Sequence, residues 1–194
     1  MTKRVAVVTG GASGLGWAIC QSLAQDGLNV VIVDRNAEAS ARALELVSRG
    51  LSASAVLGDL TDLDAISGLA AGILDRHGRC DVLVNNAGTH IKRANGQRFA
   101  FEEISRKEWD LSIALHMTAP LLLSQAFLPG MKERGWGRVI NIASRVARTY
   151  TVQGSAFYVA SKAGLVGLTR SIAGEYAPHG ITSNAIAPGR FKTP

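Results

Sequence analysis

The chain has 194 residues, 47% of them apolar and 19% charged, with a formal net charge of +6. That length supports one core and one domain, residues 1–194, and no apolar run reaches the roughly 20 residues of a membrane span. Lys and Arg are spread along the chain without a dense run or interleaved aromatics, which argues against nucleic acid. The N-terminal MTKRVAVVTGGASG breaks into glycines too early for a secretory signal. Cys20 and Cys80 are isolated and suit no disulfide or metal framework, so a reducing cytoplasm is expected.

Six apolar, mostly β-branched runs predict strands at 4–9, 29–34, 52–58, 81–86, 137–144 and 180–187. Amphipathic stretches at 14–26, 37–49, 62–77, 105–133 and 155–177 predict helices between them, the fourth opened by a Ser105–Glu108 capping box. Strict alternation implies an α/β fold: a doubly wound, Rossmann-like parallel sheet with helices on both faces.

TGGASGLG (9–16) lies between the first strand and first helix, with Gly10, Gly14 and Gly16 spaced G-x-x-x-G-x-G and Ser13 and Leu15 among them. Such a turn brings backbone N–H groups and a helix N-terminus up to a pyrophosphate, although a tight turn without ligand would look the same. Asp34 ends the second strand, where a carboxylate accepts from ribose hydroxyls and repels a 2′-phosphate. That favours NAD over NADP, while Arg35 beside it could pair with a phosphate. Asp34 could instead cap the following helix. Asp59 and Leu60 follow the third strand and could frame an adenine or simply form a turn.

Tyr158 and Lys162 are four apart on one helical face. A tyrosine has a pKa of about 10 and is a poor acid–base at neutral pH, but a cation within a few Å favours the phenolate. Ser144 ends the fifth strand, on the sheet edge where ligands bind in such folds.

These motifs, with NNAG (85–88) and NAIAPG (184–189), run in order over the whole chain. Together they resemble the short-chain dehydrogenase/reductase family. The resemblance implies that Tyr158 is the general acid/base, that Lys162 holds the nicotinamide ribose and lowers the tyrosine pKa, and that Ser144 orients the substrate oxygen. Asn85, Asn86, Ala87 and Gly88 would line the cofactor site and steady the sheet. Pro188, Gly189, Phe191 and Thr193 would hold the nicotinamide. The implied reaction is reversible hydride transfer between a secondary alcohol or ketone and a nicotinamide, with NAD as cofactor and no metal. A homodimer or homotetramer through the helices at 105–133 and 155–177 is implied too, since Leu121, Leu122, Leu123, Phe127, Leu165, Val166 and Leu168 make them apolar on more than one face. The alternatives are an NADPH-dependent 3-oxoacyl-thioester reductase and a non-catalytic dinucleotide-binding protein.

Three features depart from the family pattern. Ser144 and Tyr158 are 14 positions apart, about one more than the pattern, which a loop can absorb. The sequence stops at Pro194, short of the family's substrate lid and last strand, so weak cofactor binding and slow turnover are expected of it. His116 stands where the family has an asparagine that shapes a helix kink and seats a relay water. An imidazole titrating near neutrality could join that relay, or it could be inert packing. Pro120, lacking an N–H, would free the carbonyl of residue 116 for the water. Finally, Lys92, Arg93, Arg98, Arg145 and Arg148 form either a basic mouth for an anionic substrate or solvated surface charge.

Overall fold

Successive strand residues point to opposite faces of a sheet, and this chain makes both faces apolar. In the computed structural model, which describes residues 3–152 and 154–189, β1 (Val5–Thr9) sends Val5 and Val7 into one core and Ala6 and Val8 into the other. β2 (Asn29–Asp34) divides Val31 and Val33 from Val30 and Ile32 in the same way. A strand buried on both sides has no polar face, which is why the apolar runs are unbroken. The other strands are β3 (Ala53–Leu57), β4 (Val82–Asn85), β5 (Gly137–Ile142) and β6 (Ile181–Ile186). All pair in parallel, in the order β3-β2-β1-β4-β5-β6.

One face is covered by α1 (Gly14–Gln25) and α2 (Glu38–Ser48), through Cys20, Ala24, Ala43 and Leu46. The other is covered by α3 (Ile66–His77), α5 (Ala119–Glu133) and α6 (Ala156–Tyr176), through Ile73, Phe127 and Ile172. Both the doubly wound sheet and its helical layers are as expected. The strand order reverses between β1 and β4, which opens a crevice at their C-terminal ends.

The long helix expected at 105–133 is three pieces: α4 (Arg106–Ile113), a π turn (Ala114–Thr118) and α5. Ser105 caps α4 in the expected box with Glu108. The break near Pro120 takes the form of the π turn, in which the Ala119 N–H reaches back five residues to the Ala114 carbonyl. Although no contiguous apolar run reaches the length of a span, Arg106–Glu133 as a whole is long and apolar enough to cross a membrane by length and composition alone. Its apolar side chains serve the sheet, with Ala119, Leu123, Phe127 and Met131 buried against it.

At the opposite, N-terminal edge of the sheet Asp81 is fully buried. Two 2.7 Å bonds from Arg79, the Val5 N–H at 2.9 Å and Arg134 at 3.4 Å surround it. Burial pushes this carboxyl up, but those donors together hold it below the ordinary range.

Candidate active site

The loop between β1 and α1 is shaped by what a side chain would strike. A Cβ on Gly16 would stand 2.0 Å from the Gly10 carbonyl oxygen and 2.5 Å from Asn86 Nδ2. Gly10 and Gly14 have φ of 64° and 53°, where glycine is favoured. Gly11, which the spacing did not single out, is equally confined: its Cβ would meet Cys20 Sγ and Ile32 Cγ2 at 2.9 Å. Ser13 is the N-cap of α1, exposed, and its hydroxyl makes no capping bond. The first-turn amides of α1 and this hydroxyl therefore face a cradle suited to a phosphate.

That cradle is one end of a cavity of about 370 Å³ that reaches Asp34, Asp59 and Leu60 on one side and Asn86, Ala87 and Gly88 on the other. Leu15 lines it as well. The two carboxylates are already engaged. Asp34 accepts from the Ala12 and Asn36 amides, both at 3.0 Å, and so braces the glycine loop. It does not cap α2, whose N-cap is Ala37, because the chain turns once more before the helix begins. Asp59 accepts from the Thr61 amide and hydroxyl, and these bonds hold its carboxyl below the usual range. Leu60 is mostly buried in the core and leaves only an edge to the cavity. Asn85 has a different place from its neighbours: buried, it bonds Asn141 across β4–β5 at 2.8 Å and steadies the sheet without lining either cofactor-side cavity. Asn86 spans the crevice instead, donating to the Thr9 and Gly10 carbonyls. Thr9 was missed from sequence; its hydroxyl accepts from the Asn86 and Ala87 amides, both at 3.0 Å.

A second cavity, about 190 Å³, continues from the first along Leu15, Asn86, Gly88 and Thr89. Ser144, Tyr158, Lys162, Pro188 and Gly189 close it. The longer Ser144–Tyr158 spacing is taken up by a 3-10 turn (Arg145–Ala147) and the approach to α6, so both side chains reach this one wall. Pro188 is tied down by the Arg145 amide at 3.0 Å. Phe191 and Thr193 lie outside the described residues.

Lys162 is buried and donates to the Ile142 carbonyl at 2.7 Å; desolvation lowers its pKa to about 8. Its ammonium lies 5.9 Å from the Tyr158 ring centroid. The expected depression of the Tyr158 pKa is not realised: burial raises it, and the hydrogen bond with Ser144 only partly offsets that. At neutral pH this set presents a phenol, a hydroxyl and a mostly protonated ammonium to one cavity.

His116 is 1% exposed, which removes the reason to expect titration near neutrality. Burial, with Lys162 and His90 nearby, pushes its pKa down to about 3. The Thr89 amide donates to Nε2 at 3.2 Å, so the proton sits on Nδ1, facing the Ser112 and Ser161 hydroxyls at 3.2 and 3.1 Å. Ser112 and Ser161 pass on to the Phe157 and Tyr158 carbonyls. The imidazole is thus a neutral brace tying the loop after β4 and α4 to α6. A Cβ on Gly88 would come 3.0 Å from its Nε2 and 3.5 Å from Lys162 Nζ, so His116 also helps shape the cavity. His116→Asn is expected to leave the limbs of the pH–rate profile between about pH 5 and 8 in place, because a group neutral throughout that window contributes no limb. A displaced limb would show that the imidazole exchanges protons.

Beyond Tyr158 opens a third cavity of about 750 Å³. It shares His90, Ser144, Tyr158, Pro188 and Gly189 with the second, and the loop 89–100 forms its outer wall. His90, also missed from sequence, stacks on Tyr158 with ring centroids 4.8 Å apart.

The chain matches the short chain dehydrogenase family over residues 4–194. It is 39% identical to a D-beta-hydroxybutyrate dehydrogenase of Rhizobium meliloti (strain 1021) over 197 aligned residues, 100% of this chain and 73% of that protein. Its structure is similar to that of a 3-oxoacyl-[acyl-carrier protein] reductase with bound NAD from Brucella melitensis (TM-score 0.92, 34% identity, 100% of this chain and 73% of that one). It is also similar to a metagenomic short-chain oxidoreductase in complex with NADP (TM-score 0.88, 40% identity, 96% and 82%). With the crevice, the glycine cradle and the Ser–Tyr–Lys wall in these positions, the chain belongs to the short-chain dehydrogenase family, oxidoreductases of CH–OH groups that use a nicotinamide dinucleotide.

Proposed function

We propose that residues 1–194 act as one dinucleotide-binding domain that interconverts a secondary alcohol and a ketone, with NAD as the preferred cofactor. The observation that carries this reading is the continuity of the glycine-cradle cavity with the one walled by Ser144, Tyr158 and Lys162. The residues fit a dinucleotide: Gly10, Ser13, Gly14, Leu15 and Gly16 would hold the pyrophosphate, Asp34, Asp59 and Leu60 the adenosine. Asn86, Ala87, Gly88, Lys162, Pro188, Gly189, Phe191 and Thr193 would serve the nicotinamide end. When bound, the cofactor supplies the hydride donor or acceptor.

The chain's own residues handle the proton. In ketone reduction the Tyr158 hydroxyl donates it to the substrate oxygen, and in alcohol oxidation the Tyr158 oxygen takes it back. Ser144 hydrogen-bonds the same oxygen and the tyrosine, so it aligns both. Lys162, held by the Ile142 carbonyl, places positive charge behind the phenol where negative charge develops. His116 keeps the surrounding helices in register and takes no part in the transfer.

NAD is favoured because the Asp34 carboxylate lines the adenosine end, where a 2′-phosphate would meet it. Arg35 lines the same cavity and supports the second reading, an NADPH-dependent reductase of 3-oxoacyl thioesters. Fluorescence titration separates them. NADH is expected to bind at least about tenfold (~1.4 kcal/mol) tighter than NADPH, with Asp34→Ser narrowing the gap. Tighter NADPH binding by the unaltered protein would reverse the preference. Two buried free thiols, Cys20 and Cys80, suit a reducing, cytoplasmic setting. Self-association through α4, α5 and α6 is supported by Leu121, which is 39% exposed on α5, whereas Leu123, Phe127 and Leu165 are consumed by the core.

A further inference from the structure

The 750 Å³ cavity beyond Tyr158 is built almost entirely from cations and neutral groups. Lys92, Arg93, Arg98 and Arg145 line it, and no Asp or Glu is among its described lining residues. Arg93 is neutralised by an ion pair with Glu103. Arg98 donates only to the neighbouring Phe99 carbonyl, and Lys92 and Arg145 have no carboxylate partner among the described residues.

Three unneutralised cations around one concavity repel one another and leave its interior electropositive, more so than on a convex surface. Solvated charges on a loose arm would relieve that repulsion by moving apart. The loop carrying Lys92 and Arg98 is not loose. The Phe99 amide donates to the buried Ser155 hydroxyl at the head of α6. Reciprocal backbone contacts among Arg93, Gly96 and Gln97 at 2.9 Å fold it into a tight turn. The backbone at Arg145 is fixed from the other side, since its amide is bonded to the Pro188 carbonyl.

The same chamber holds a second unmet demand beside the reacting oxygen. Among the described residues His90 Nε2 is buried without a hydrogen-bond partner, while its ring stacks on Tyr158. Burial and the nearby Lys92 keep this imidazole neutral, so it adds no competing charge and offers one polar atom to the occupant.

We propose that the chamber takes an anionic substrate, a keto acid or hydroxy acid, whose carboxylate is held among Lys92, Arg98 and Arg145 while its ketone or alcohol faces Ser144 and Tyr158, next to His90. This deepens, and rests on, the reading of the site as an alcohol–ketone oxidoreductase. The three cations and His90 are substrate-positioning residues.

The test uses the NAD-saturated protein, in which a ketone binds without being reduced. Affinities are measured by calorimetry for 3-oxobutanoate, 4-oxopentanoate and 5-oxohexanoate, each beside its uncharged methyl ester. At least one acid is expected to bind about tenfold or more tightly than its ester. The preference should shrink at about 1 M salt, where the screening length falls to about 3 Å. The triple variant Lys92→Gln, Arg98→Gln, Arg145→Gln, checked for unchanged circular dichroism, should bring the acid-to-ester ratio near one. An acid that binds no better than its ester at every length overturns the proposal, as does a folded triple variant that keeps the preference. The same pairs are then assayed with NADH. Preferential acid binding without reduction of any ketone would leave the anion site standing and overturn the oxidoreductase reading. Equal binding and equal reduction of acids and esters would do the reverse.

Discussion

Tyr158→Phe is expected to lower kcat for ketone reduction by about 10²- to 10⁴-fold, the usual contribution of a positioned acid or base, while NADH affinity stays close to that of the unaltered protein. Phenylalanine keeps the ring that stacks on His90 and packs edge-on against His116, and removes only the oxygen shared with Ser144. Steady-state kinetics beside a cofactor titration therefore separate loss of the proton from loss of the pocket. Because burial holds the phenol above its ordinary pKa, the unaltered protein should reduce ketones without loss at neutral pH. Oxidation of alcohols needs the deprotonated oxygen and should climb toward alkaline pH. A phenylalanine variant with near-normal turnover would remove Tyr158 from the chemistry, whereas an unaltered protein that binds NADH and turns over no ketone would be a dinucleotide-binding protein without catalysis.

Asp81→Ala should cost about 3 kcal/mol of folding free energy, read from the urea midpoint, because it leaves Arg79 and Arg134 without their buried partner. The estimate takes the low end for broken buried pairs, since both arginines are 28% exposed and regain some water. Asp81 sits at the N-terminal edge of the parallel sheet and the active site at the C-terminal edge, so kcat per folded molecule should hold. The pH dependence has a definite sign. A carboxylate held below its ordinary range contributes its stability above that range and loses it as pH falls through the lowered value. The unaltered protein should thus lose stability more steeply in acid than the variant, and parallel acid titrations would contradict the placement of charge around Asp81.

Much of the site was legible because its signals are local. The glycine spacing of 10, 14 and 16 and the Tyr158–Lys162 pair depend on residues within a turn of each other, and backbone geometry converts them directly into a cradle and a helical face. Strand positions were legible for the same reason: both-sided burial removes the polar alternation from the sequence itself. Even the break before Pro120 followed from a missing N–H, though its π form did not.

What the sequence left open depends on contacts across many positions. His116 could be a relay or packing until Thr89, Ser112 and Ser161 closed around it and burial took its charge away. Asp34 could be a cap for the next helix until that helix began at an Ala37 N-cap and the Ala12 amide, 22 residues away, claimed one of the Asp34 oxygens. The 89–100 loop had no fixed place until the Phe99–Ser155 bond set it against the head of α6, where its basic residues line the cavity beside Tyr158. By itself the sequence determined the sheet, the cradle and the tyrosine–lysine face, since periodicity and spacing carry them. Only the tertiary structure decided which groups are charged and which are already partnered, because desolvation and hydrogen bonding are properties of the space around a residue and not of its neighbours in the chain.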